Sequence, residues 1–234
     1  MRKIHPILTG MLDFVFPPLC AGCGHYDDSS TGICVRCRRM IDVFNRPTCL
    51  SCGTVLSSDV KCPVCADDSL PLFAYGNYHQ TPLRDIIIQF KFRDVLPPVE
   101  TLVSALAKAF APQLKELSAD CLVPIPLHPY REHKRGYNQA RIIAESLAPL
   151  IELTVDEHLI QRTKRRRPQS KLAVAKREKN IQGVFSVPEI PTTKLRIILV
   201  DDVVTSGATV TEAKKILVAA GHTVVGVVAL AHGV

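Results

Sequence analysis

Ile197-Ile198-Leu199-Val200-Asp201-Asp202-Val203-Val204-Thr205-Ser206-Gly207-Ala208-Thr209 passes from an apolar run through two acids into a turn of small residues. An unbroken aliphatic run of this length, without polar alternation, reads as a strand buried on both faces, the kind that parallel sheets contain. The small residues from Thr205 to Thr209 read as a turn that opens a helix, Gly207 allowing close approach to it, and residues 209–220 read as that helix until Gly221, a helix stop. The order strand, turn, helix brings the acids to the C-terminal edge of a sheet, where open α/β folds hold their ligands.

The residue types suit a phosphorylated sugar. Asp201 and Asp202 accept hydrogen bonds, and the 2′ and 3′ hydroxyls of a ribose present two donors in a fixed arrangement. Thr205, Ser206, Gly207, Ala208 and Thr209 offer consecutive backbone N–H groups and hydroxyls to a phosphate, at the positive end of the helix that follows. A capped turn with surface acids is the plainer reading, but a cap alone requires neither the acid pair nor the buried strand.

Elsewhere the pattern alternates. Thr81-Pro82 starts a helix with Leu83, Ile86, Ile87 and Phe90 at helical spacing, and residues 100–117 form a second amphipathic helix. Residues 122–126 read as a short strand, 128–138 as a polar loop, 138–150 as a helix, 197–200 as a strand and 223–230 as a final buried strand. Strands alternating with helices imply an α/β fold with a parallel sheet and helices on both faces. That domain is expected over 71–234. Residues 1–70 differ, holding eight of the nine cysteines and many turn formers.

Those eight are Cys20/Cys23, Cys34/Cys37, Cys49/Cys52 and Cys62/Cys65, four Cys-x-x-Cys pairs. One pair offers two thiolates and two pairs complete a tetrahedral zinc site, with zinc to sulfur at about 2.3 Å. The simplest arrangement is sequential, two structural zinc ions with the first four cysteines on one and the last four on the other; interleaved ligands are the alternative. Disulfides or a redox pair fit four evenly spaced pairs less well. His25, close to the first knuckle, reads as a surface histidine with substitute ligation as the alternative, and Cys121, beside an apolar strand, is expected in the core.

The chain has 234 residues, 47% hydrophobic, with 29 Lys and Arg against 22 Asp and Glu, a net charge of +7. That balance inclines it towards polyanions. No apolar run approaches the about 20 residues of a membrane helix, and no secretory signal is legible at the N-terminus, so the cytoplasm is the expected compartment. Basic residues concentrate at Arg162, Lys164, Arg165, Arg166, Arg167, Lys171 and Arg177. Such density is costly to fold unless something anionic neutralises it, and it suits a segment that follows a single-stranded DNA backbone. Arg131, Lys134 and Arg135 gather in the 128–138 loop, where they can meet a leaving pyrophosphate.

The 197–209 stretch resembles the phosphoribosyl diphosphate fingerprint of type I phosphoribosyltransferases. With the cysteine pairs, Val123-Pro124-Ile125-Pro126, Arg135-Gly136-Tyr137-Asn138-Gln139, Lys91 and the series from Arg162 to Phe185, the chain resembles the competence protein F (ComF/GntX) family along essentially its whole length. The resemblance implies a double zinc ribbon ahead of a phosphoribosyltransferase-like domain. It also implies phosphoribosyl diphosphate bound with Mg²⁺, pyrophosphate held near Arg135, and residues 162–177 acting as a flexible loop. Its expected setting is DNA uptake in natural transformation, with single-stranded DNA and a competence helicase as partners. An active transferase acting on a nucleobase or amine is the alternative; the absence of a legible acceptor hood inclines the reading towards the accessory role.

Overall fold

The computed structural model describes residues 17–233, apart from 58–59, 67–68, 93–95, 163–182 and 189–192. Its framework is a six-stranded sheet: β1 (Thr48–Cys49), β2 (Pro71–Asn77), β3 (Cys121–Pro124), β4 (Thr154–Val155), β7 (Arg196–Val204) and β8 (Thr223–His232), in the order β1-β2-β8-β7-β3-β4. All neighbours are parallel except β1 and β2. The central strands are buried on both faces, as their uninterrupted Val, Ile, Leu and Ala runs require: Ile197 to Val200 and Val227 to Ala231 are inaccessible to solvent.

Helices α2 (Thr81–Phe92), α3 (Leu96–Glu116) and α5 (Gln139–Ile151) cover one face. There Phe110 of α3 meets Phe73 of β2 edge to face, ring centroids 5.5 Å apart. Truncating so buried an aromatic to alanine costs about 3–5 kcal/mol. The other face is covered by α6 (Ala208–Ala219) and by a small antiparallel pair, β5 (Gln161–Arg162) and β6 (Phe185–Ser186). The expected α/β class, a mostly parallel sheet with helices on both faces behind a cysteine-rich module, is borne out.

Several boundaries differ from the sequence reading. Helix α3 begins at Leu96 rather than residue 100, because Pro97 and Pro98 fall in a first turn that needs no N–H donors. Strand β7 runs on through the acids to Val204, and β8 reaches His232. The polar 128–138 stretch contains a seven-residue helix, α4 (Pro129–Arg135). His128 caps its start, and Gly136, at φ 84°, ends it.

The cysteine-rich segment is woven into the same core. A short helix, α1 (Val35–Met40), places Cys37 beside Ile33 and Ile41, in one apolar cluster with Leu83 and Ile86 of α2 and Val99 of α3. Gln89 donates to the Ala21 carbonyl at 2.8 Å, Thr101 donates to Thr31 at 3.2 Å, and β1 extends the main sheet through β2.

Candidate functional site

Strand β7 ends at the acid pair. Successive side chains leave a strand on opposite faces, and the contacts follow that alternation. Asp202 faces the α2 side, where Lys91 Nζ meets its Oδ2 at 2.9 Å. Asp201 faces the other layer and feels the guanidinium of Arg162 on β5. The Asp202 N–H donates to Asp201 Oδ1 at 2.8 Å, locking the two residues together. Burial, followed by the adjacent Asp202 carboxylate, pushes Asp201 up to about 7 from its ordinary 3.8, against the opposing pull of that N–H, Lys91 and Arg162.

Beyond Val204 the chain turns. Gly207 has φ 71° and serves as the N-cap of α6, which starts without a side-chain cap hydrogen bond. Its carbonyl accepts the first helical bond from the Thr211 N–H at 2.8 Å. Thr205 and Ser206 are exposed, Ala208 and Thr209 partly so, and Gly207 is buried. An uncapped helix start with exposed hydroxyls beside it suits an anion, because the first N–H groups of a helix have no carbonyl of their own to bond.

The Arg135–Gln139 stretch joins three elements. Asn138 caps α5 and donates through Nδ2 to the Ile125 carbonyl at 3.1 Å, fixing the chain that leaves β3. The Tyr137 hydroxyl donates to the carbonyl of Phe90, next to Lys91, and the two rings lie 5.7 Å apart. Arg135 Nη1 donates to Gln139 Oε1 at 3.0 Å. Lys91 pairs with Asp202, the charges of Lys91 and Arg162 both act on Asp201, and Arg131 of α4 is close enough to Arg162 to disfavour its charge. Burial first, and the neighbouring Arg131 cation second, hold the Arg162 guanidinium below its ordinary value, and the buried Arg162 Nε has no hydrogen-bond partner among the described residues.

The basic segment starts at this place. Lys164, Arg165, Arg166, Arg167, Lys171 and Arg177 lie outside the described residues, but its stem is defined: Arg162 pairs with Phe185, and its guanidinium lies 5.5 Å from that ring. The Gly183 N–H donates to Glu212 of α6, tying the returning arm to the helix that follows the turn. Beside the stem is a cavity of about 380 Å³, lined by residues that include Pro126, Asn138, Arg141, Glu157 and Arg162.

The cysteines form two groups, Cys20/Cys23/Cys34/Cys37 and Cys49/Cys52/Cys62/Cys65, with all sulfurs of a group within 4.8 Å of one another. Cys23 and Cys34 sulfurs are 3.9 Å apart and Cys52 and Cys62 sulfurs 3.5 Å, bracketing the edge of about 3.8 Å that a tetrahedron with zinc–sulfur bonds near 2.3 Å requires. Backbone N–H groups point at the sulfurs, Cys34 to Cys20 at 3.2 Å, Cys37 to Cys34 and Cys65 to Cys62 at 3.4 Å, which suits thiolates. These residues fit two structural zinc ions in sequential order, with His25 outside both groups. Cys121 is a core residue, and burial, then Asp156 and Asp120, push its thiol up to about 11.

Residues 11–66 match the double zinc ribbon domain. Competence protein F of Haemophilus influenzae is 29% identical over 209 residues, 85% of this chain and 90% of the relative. The likeness to the competence protein F family holds along most of the chain. The DNA utilization protein YhgH of Escherichia coli strain K12 shares 29% over 224 residues, 90% of this chain and 95% of its own length. Competence protein ComFC of Bacillus subtilis shares 28% over 206 residues, 81% and 79%. The Lys91, Tyr137 and Asn138 positions that carry the resemblance have visible work: they tie α2, β3 and α5 around the acid pair. Sequence periodicity gave no sign of the Lys91 partner, and the cavity was likewise missed because it is assembled from segments far apart in sequence.

Proposed function

We propose that the chain binds phosphoribosyl diphosphate at 201–209 and serves the uptake and handling of DNA, with single-stranded DNA as its polymeric partner. The observation that carries this reading is the conjunction on β7 and α6: an acid pair held by Lys91, followed within a few residues by a helix start that has no side-chain cap and the exposed Thr205 and Ser206 hydroxyls beside it. Asp201 and Asp202 would accept from the ribose hydroxyls, the 205–209 amides and hydroxyls would hold the 5′-phosphate, and Arg162 with Arg131 would face the diphosphate. Mg²⁺ would bridge diphosphate and ribose oxygens. Arg135, engaged with Gln139, orders the segment that follows α4.

The DNA role rests on the relatives' names, competence protein and DNA utilization protein, and on the basic segment whose stem stands beside the acid pair. Single strands need charge from such a segment and little sequence reading. Among the described residues no helix is long and apolar enough to cross a membrane.

The cavity of about 380 Å³ beside Arg162 favours a second reading, a transferase with an acceptor bound there. In that reaction the bond from ribose C1′ to the diphosphate oxygen breaks, pyrophosphate leaves, and the acceptor's lone pair forms the new bond. Incubating the protein with labelled phosphoribosyl diphosphate, Mg²⁺, single-stranded DNA and candidate nucleobases or amines decides between the two. Binding without released pyrophosphate supports the accessory role; acceptor-dependent release selects the enzyme; neither binding nor release removes both.

A further inference from the structure

We propose that the second zinc ribbon is the back wall of the phosphate turn, with Leu50 as the positioning residue that sets the turn's shape. The inference rests on the reading of residues 205–209 as an anion site. Leu50 lies inside the knuckle Cys49-Leu50-Ser51-Cys52. Its backbone is fixed on both sides: the Cys49 N–H donates to Thr54 at 2.8 Å, the Leu50 N–H donates to Leu70 at 2.9 Å, and Cys49 pairs with Pro71 in the sheet. Cys49 is fully buried and belongs to the second tetrad.

From that anchored position the Leu50 side chain reaches Gly207. A β-carbon at Gly207 would stand 3.0 Å from Leu50 Cδ1 and 3.2 Å from its Cγ, so the leucine rests directly on the turn. Gly207 is buried while Thr205 and Ser206 are exposed, so the turn is covered on the ribbon side and open on the other. Two demands therefore meet at this glycine, a left-handed φ of 71° and room for Leu50. A turn without a side-chain cap depends on packing to keep its amides aligned, and Leu50 supplies that packing. Zinc bound by the four thiolates would hold Cys49, Cys49 carries Leu50, and Leu50 would keep the amides in the orientation that a phosphate meets.

The test uses the zinc-loaded, full-length chain and three variants, Leu50→Ala, Leu50→Val and Leu50→Met. Amide hydrogen exchange at residues 206–209 reads the turn directly, and calorimetric titration with phosphoribosyl diphosphate reads the ligand. Leu50→Ala is expected to keep two equivalents of zinc, to speed exchange at 206–209 by about tenfold or more while β8 amides are unchanged, and to weaken the ligand several-fold. Leu50→Met, similar in volume, is expected to restore both, and Leu50→Val serves if the alanine variant does not fold. Exchange unchanged in the truncated variants, or accelerated equally in β8, overturns the positioning role. Faster exchange at 206–209 in a protein whose wild type does not bind phosphoribosyl diphosphate keeps Leu50's role and removes the ligand reading.

Discussion

Lys91 Nζ stands 2.9 Å from Asp202 Oδ2, joining the end of α2 to the acid pair of β7, with side chains only 19% and 14% exposed. An ion pair this sheltered differs from a surface one, because removing the cation leaves a carboxylate that water cannot fully reach. Lys91→Met is expected to cost about 1–3 kcal/mol, read by urea denaturation. Lys91→Met combined with Asp202→Asn should lose less than the sum of the two single variants. Strict additivity would mean that the pair contributes nothing.

The pH dependence of stability should carry the mark of Asp201. Its folded value, about 7, lies above its ordinary 3.8, so the folded protein holds this proton more tightly than the unfolded chain does. The contribution is therefore complete below pH of about 4 and is lost as the pH rises through about 7. Asp201→Asn removes that loss. Its melting temperature relative to wild type should rise between pH 5 and pH 8, by the equivalent of about 1 kcal/mol or more. A difference independent of pH would contradict the burial of this carboxyl.

The thiols should divide by site. Elemental analysis is expected to give two zinc ions per chain, with no thiol reacting quickly with a disulfide reagent at neutral pH while the metal is bound. Chelation without denaturant should release the eight tetrad thiols and leave Cys121 unmodified, since burial raises it to about 11. One zinc per chain, or early modification of Cys121, would break the assignment.

Single-stranded DNA affinity should fall steeply with salt. Replacing Arg165, Arg166 and Arg167 together by alanine is expected to reduce the slope of log K against log salt by about 2, since single strands contribute about 0.7 for each neutralised phosphate. An unchanged slope would place the contact elsewhere on the surface.

How much of this could be read from the residues alone depended on distance along the chain. The buried strand, the acids and the glycine turn are consecutive, so local rules sufficed for β7 and α6. Cys-x-x-Cys spacing specifies two sulfurs at a time, and closeness in sequence gave the sequential pairing of the tetrads. Helix α4 reads as a loop in sequence because PYREHKR has no apolar face, although Pro129 at its start and Gly136 at its end are helix-boundary signals. The contact between Leu50 and Gly207 could not be seen, for it joins residues far apart in sequence and depends on β1 adding to the sheet edge. The Lys91–Asp202 pair was hidden for the same reason.

The most direct measurement is isothermal titration of the zinc-loaded protein with phosphoribosyl diphosphate in Mg²⁺, beside the variant Asp201→Ala with Asp202→Ala. The account predicts saturable binding at one site per chain in the wild type, and its loss in a variant that keeps its zinc and its fold. Equal affinity in both proteins, or no heat of binding in the wild type, would contradict it.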